Sequence, residues 1–204
     1  GNLDTTVTIV LTDDNELKIS YLATTDKPTV LNLTNHAYFN LSGAGVGDVL
    51  GQVLTLYSDH YLAVDAGVIP TGKLNPVKGT FMDFTQPHPI GSRLAETKFG
   101  TLPLGYDHCY VLRSSSANPA PAARVEDPAS GRVMEVFTTE PAVQLYTSNY
   151  LDGGPQNGGF KQHSAFCLET QHYPDSPNHA EFPSAVLRPG GEFRSTTVYK
   201  FSAK

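Results

Sequence analysis

The sequence has no tryptophan, two cysteines and only 14 lysines and arginines in 204 residues. Each shortage excludes something. Cys109 and Cys167 are isolated, without the paired spacing of a zinc motif or the density of a disulfide framework, and read as buried thiols. Acidic residues number 20, and the net charge of −6 leaves no basic stripe for nucleic acid. No apolar run approaches the ~20 residues of a helical membrane span. A glycine-rich phosphate loop and a nucleophile-elbow serine are both missing. His88, His108, His163, His172 and His179 lack metal-ligand spacing. Neither a helix-length amphipathic stretch with caps nor a fixed-period repeat is visible.

What the chain does have is turns and strand formers. It contains 18 glycines, 15 prolines, ten tyrosines and ten phenylalanines, a composition that suits short strands. Residues 7–11 and 17–22 alternate around Asp13-Asp14-Asn15, a hairpin signal. Residues 30–35 and 53–57 read as further strands, and Tyr110-Val111-Leu112 begins another. The Pro- and Gly-rich stretch 65–105 reads as ordered loops with short strands, and 114–122 as an exposed loop. Residues 123–127 and 132–137 bracket Pro128-Ala129-Ser130-Gly131 as a second hairpin. Strands at 142–147, 165–170 and 193–201 complete an all-β sandwich or barrel.

Four clusters carry candidate chemistry. Asn35-His36-Ala37-Tyr38-Phe39-Asn40 reads as the end of an apolar strand, where His36 sits at a cleft mouth and the aromatic faces cover a sugar ring. The plainer reading is a histidine hydrogen-bonded in a sheet. Asp107 follows Gly105-Tyr106; it suits sugar hydroxyls, although such an aspartate more often serves its own turn. Gln144 shares a face with Ala142 and Tyr146, opposite Val143 and Leu145, as a hydroxyl-binding amide or the polar face of an edge strand. Glu169 lies in the apolar run Ala165-Phe166-Cys167-Leu168-Glu169-Thr170. A carboxylate there is either structurally paired or a catalytic base. His172, close by, is the main rival for acid–base work. The turn-rich segment 173–178 is placed to close over the site.

Taken together and in order, these clusters resemble the aldose 1-epimerase (mutarotase) family. Leu33 to Leu41 is similar to its acid motif, Gly105-Tyr106-Asp107-His108 to its sugar-binding aspartate motif, and Thr139 to Asn149 to its glutamine-bearing strand. Phe166 to Gln171, followed by Pro174 to Asn178, is similar to its base motif. Secondary matches are Ile69-Pro70-Thr71-Gly72 and Leu187 to Glu192.

The resemblance implies a large antiparallel β-sandwich of the mutarotase-like supersandwich type, with residues 1–204 forming one domain. It implies interconversion of the α and β anomers of a free hexose such as glucose or galactose. Glu169 would be the base and His36 the acid, with Asp107, Gln144 and Tyr38 holding the sugar. No metal or organic cofactor is implied. The family's Asn-Arg pair and His-Gly-Gly motif do not occur here, so the expectation is a sandwich incomplete at its N-terminus that takes a complementary N-terminal chain as partner. The expected partner is otherwise a monosaccharide, with neither nucleic acid nor membrane. The compartment expected is cytoplasmic, periplasmic and secreted forms being the alternatives. Two other functions remain open: a hexose-6-phosphate 1-epimerase, which needs a basic cluster, and a non-catalytic carbohydrate-binding sandwich.

Overall fold

The Asp13-Asp14-Asn15 turn does what its residues dictate. Asn15 adopts a left-handed φ of 59°, which asparagine tolerates, and returns strand β1 (Leu3–Leu11) onto β2 (Glu16–Thr25) in antiparallel register. The second expected hairpin forms as well. Asp127 accepts hydrogen bonds from the Ala129 and Ser130 amides, and Gly131 takes a φ of 73°. The computed structural model describes residues 1–98 and 101–204.

Between these hairpins lie β3 (Thr29–Val30), β4 (Val53–Leu56), β5 (Ser58–Val64), β6 (Pro70–Pro76) and β7 (His88–Pro89), then a 3₁₀ segment, Ile90–Thr97. There follow β8 (Asp107–Leu112), β9 (Ala120–Glu126), β10 (Arg132–Thr138), β11 (Ala142–Tyr146) and β12 (Cys167–Gln171). The last two strands are β13 (Val186–Leu187) and β14 (Phe193–Ala203). One sheet runs β1-β2-β14-β10-β9-β4-β7, a second β12-β11-β8-β5-β6, and β13 pairs with β3. All pairs are antiparallel.

The core lies between the two larger sheets. Leu54, Leu56, Val125, Met134 and Val136 of the first meet Tyr110, Val143, Leu145 and Leu168 of the second. Alternation therefore sends the other face of β8, β11 and β12 outward, where Asp107, Cys109, Gln144, Tyr146, Glu169 and Gln171 line a cavity. The all-β antiparallel sandwich is thus the observed architecture. Cys109 and Cys167 are free and buried, as expected. Among the described residues, no helix is long and apolar enough to cross a membrane.

Several local expectations need correction. Residues 30–35 do not form a strand beyond Val30. Leu31 is buried and Leu33 packs on the core, so the side chains alternate, but the backbone lacks the ladder that defines a strand. Asp107 is the first residue of β8, not a turn residue. Residues 120–122, read as loop, belong to β9. Strand β5 was not anticipated at all. Of the stretch 65–105, residues 99 and 100 lie outside the described ones; the rest is loops, two short strands and the 3₁₀ segment.

His108 stands among the rings of Tyr61, Phe81 and Tyr106, at centroid distances of 6.3–6.5 Å. Its Nδ1 accepts a hydrogen bond from the Asp107 amide at 3.1 Å, which requires an unprotonated nitrogen there. Burial lowers its pKa from 6.5 to about 4. A depressed folded-state pKa gives stability that is present above pH 6.5 and lost as the pH falls toward 4. By linkage, His108 accounts for about 3 kcal/mol of that loss. Denaturant titrations of the wild type and of H108Q at pH 7 and pH 4 should show this difference between the two pH slopes. Equal slopes would refute it.

Candidate active site

The segment that carries His36 is fastened to β12 at two points. Asn32 donates through its amide nitrogen to the His172 carbonyl at 3.1 Å and accepts from the His172 amide at 2.9 Å. Seven residues on, Phe39 and Phe166 exchange backbone hydrogen bonds at 2.8 and 2.9 Å. The segment thus runs antiparallel to β12, position numbers rising on one as they fall on the other. Between the two clamps, residue 36 falls opposite residue 169. The His36 Nε2–Glu169 Oε1 distance is 3.5 Å.

Imidazole and carboxylate therefore touch, on one wall of the cavity. His36 is not at a strand end. It lies in an extended, clamped segment. Its ring stacks on Tyr38 at 5.1 Å and meets the edge of Tyr146 at 6.0 Å. The His36 side chain is about half exposed (49%), whereas that of Glu169 is 11% exposed. One partner reaches solvent and the other does not.

Asp107 and Gln144 lie on neighbouring strands. Gln144 donates from Nε2 to Asp107 Oδ1 at 2.7 Å. Since a carboxylate can only accept, that bond fixes the amide orientation. The Gln144 Oε1 is left buried with no partner, an acceptor with its hydrogen-bonding capacity unused. Strand β11 is interior to its sheet, so the edge-strand reading of Gln144 fails. Gly105 sets the entry into β8: at φ 139°, a Cβ there would collide with the Asn149 carboxamide.

The cavity measures about 480 Å³, within the range of small-molecule sites. All five expected residues, His36, Tyr38, Asp107, Gln144 and Glu169, line it. Sequence reasoning missed its apolar wall, Leu62, Val64 and Val68, which comes from β5 and the turn after it. Gln171 was also missed, although its place two residues after Glu169 puts it on the same strand face. The segment 173–178 reaches the cavity through Pro174. His172 does not line it; its Nδ1 lies 2.7 Å from a Glu140 carboxylate oxygen.

Electrostatics distinguish the two carboxylates from ordinary ones. Burial pushes the Glu169 carboxyl above its usual value; the His36 charge pulls it down and the Asp107 charge adds to the rise. Asp107 is raised by burial and lowered by the Gln144 hydrogen bond and by His36. A raised carboxyl beside an imidazole, in a cavity lined by further hydrogen-bonding groups, is an arrangement suited to moving protons.

Residues 1–200 match the aldose 1-epimerase family model. The chain belongs to the aldose 1-epimerase family. It is 44% identical to galactose mutarotase of Mus musculus over 205 residues, covering 99% of this chain and 58% of that protein. It is 41% identical to the aldose 1-epimerase of Escherichia coli K12 over 208 residues, covering 100% and 60%. Among solved structures, galactose 1-epimerase from Lactobacillus acidophilus superimposes with a TM-score of 0.85 at 29% identity, covering 100% of this chain and 58% of that one. An aldose epimerase homologue from C. elegans gives 0.84 at 31% identity, covering 97% and 59%. The chain spans about three fifths of the length of the curated relatives it matches.

Proposed function

We propose that this member of the family interconverts the α and β anomers of a free hexose such as glucose or galactose by acid–base ring opening. The observation that carries the reading is the 3.5 Å contact between His36 Nε2 and Glu169 Oε1. The reaction removes a proton from the anomeric hydroxyl and gives one to the ring oxygen. Those two oxygens are bonded to the same carbon, so their proton acceptor and donor must lie side by side. A contact pair suits this better than groups on opposite walls.

In the forward step the Glu169 carboxylate takes the hydroxyl proton and the hydroxyl oxygen becomes the aldehyde oxygen. The bond from the anomeric carbon to the ring oxygen breaks, and its electron pair goes to the ring oxygen, which takes a proton from the His36 imidazolium. Rotation of the open aldehyde by half a turn, followed by the reverse transfers, closes the other anomer. The positive imidazolium stabilises the Glu169 carboxylate before the step. Tyr38 offers an exposed ring beside the pair, and Asp107 and Gln144 supply acceptors for ring hydroxyls.

The free sugar is favoured over the phosphorylated one by the cavity's charge. Among the described residues lining it there is neither lysine nor arginine, and two carboxylates face it. A phosphate there would be repelled. Polarimetry of fresh α-glucose or α-galactose, with and without the chain, tests the proposal; an exchange rate equal to the spontaneous one would reject it. Glucose 6-phosphate run alongside should be exchanged poorly.

Asp107→Asn should raise KM by about 10- to 150-fold with a smaller change in kcat, because one charge-assisted hydrogen bond contributes about 1.5–3 kcal/mol. An unchanged KM would remove Asp107 from the binding set.

We further read residues 1–204 as a mutarotase-type domain extended by a complementary N-terminal portion. The support is β1, whose Val7, Ile9 and Leu11 are 49%, 62% and 75% exposed along the outermost strand of its sheet. Two unpaired thiols support a reducing compartment such as the cytoplasm.

A further inference from the structure

The acid–base pair leaves a close neighbour without a task. Cys167 stands two residues before Glu169 on β12 and projects from the same face. The donor atoms of His36, Cys167 and Glu169 all lie within 4.8 Å of one another. Among the described residues no other such trio of metal-ligating side chains occurs.

The donor types are a ring nitrogen, a sulfur and a carboxylate oxygen, the mixture that a borderline-soft cation such as Zn²⁺ prefers. Zinc bonds are about 2.0 Å to N and O and about 2.3 Å to S, which sets tetrahedral donor–donor edges at about 3.3–3.8 Å. The His36–Glu169 edge, at 3.5 Å, is already of that length. Charge fits too. A thiolate, a carboxylate and a neutral imidazole together carry two negative charges and neutralise a divalent ion. Three protein donors leave the fourth tetrahedral position to a water.

We propose that His36, Cys167 and Glu169 form a binding site for a zinc-class divalent cation, whose occupancy silences the acid–base pair. The binding half stands on geometry; the inhibitory half rests on the proposed anomer exchange. The cation takes the imidazole lone pair and the carboxylate oxygen that proton transfer requires. Each ion bound displaces two protons to solvent, one from the Cys167 thiol as the sulfur–metal bond forms and one from the His36 imidazolium as the nitrogen–metal bond forms.

The test is a cobalt(II) titration of the untagged full chain followed by absorption. The expected result is tetrahedral d–d bands with a thiolate-to-cobalt charge-transfer band that saturates at one equivalent and is bleached by Zn²⁺. Cys167→Ser should abolish the charge-transfer band and Cys109→Ser should keep it. Cobalt bound at the surface cluster of His179, Asp175 and Glu181 would show no sulfur band. An octahedral spectrum, or a sulfur band that persists in C167S, overturns the site. Should C167S fail to fold by circular dichroism, H36N supplies the second reading: cobalt affinity must fall at least about tenfold, since even losing an outer-shell partner costs that much.

The inhibition arm uses polarimetry. Zinc should slow exchange by the wild type, and C167S should keep its turnover while needing at least about tenfold more zinc for the same inhibition. Cobalt bands without any anomer exchange would support the cation site and defeat the functional reading. Normal exchange without a sulfur band would defeat the cation site alone.

Discussion

Glu169→Gln should lower kcat for anomer exchange by about 10²–10⁴-fold, the usual contribution of a positioned general base. That is about 3–5 kcal/mol of transition-state stabilisation. The amide keeps the size and one acceptor oxygen of the carboxylate but cannot take a proton. Sugar affinity should change little, because Asp107 and Gln144 hold their places without it. The same variant should be more stable than the wild type at neutral pH. Burial raises the folded-state pKa of Glu169, so the fold disfavours the ionised form, and a neutral amide removes that cost. The sign of the pH dependence follows: the wild-type penalty fades as the pH falls through the raised pKa, and the stability gap to E169Q narrows with it. A variant that is inactive but melts at a higher temperature cannot be explained by misfolding. Turnover within tenfold of the wild type, after subtraction of the spontaneous rate, would end the assignment of Glu169 as base.

How much of this was legible beforehand depends on which physical signal each element carries. Strands β1, β2, β9 and β10 were legible because alternation and turn chemistry agree. The pocket-facing sides of β11 and β12 were legible because period-two alternation needs only one sheet face to be buried. The segment 30–35 misled for the same reason. Alternate burial of Leu31 and Leu33 imitates a strand, while the actual partners of Asn32 are main-chain groups 140 positions away. Strand β5 was missed because it opens with Ser58-Asp59-His60, and Asp59 is an exposed ion-pair partner of Arg113. With β5 went the apolar wall of the cavity. Asp107 was misplaced because Gly105 signals a bend, yet the chain enters β8 only two residues later. Above all, the proximity of residues 36 and 169 is a long-range fact, created by the clamps Asn32–His172 and Phe39–Phe166 together.

His36→Asn tests the other half of that contact and should also cost about 10²–10⁴-fold in kcat. Asparagine can still donate a hydrogen bond to the ring oxygen, but it has no proton to give up. Two accompanying signs separate lost proton transfer from lost structure. First, the charge on His36 is what pulls the Glu169 pKa down against burial. Its removal must raise that pKa further, and the acidic limb of the residual rate profile must move to higher pH. Second, the His36 side chain is about half exposed, so the space it vacates is open to solutes. Added imidazole should restore part of the turnover in a concentration-dependent way, as a donor in free solution replaces the tethered one at an entropic cost. The protein scaffold itself should be unaffected, because both clamps that hold residues 32–39 are made by groups other than the imidazole. A variant with near-normal turnover, or with an acidic limb that stays where the wild type has it, would show that the two side chains are neighbours without being partners.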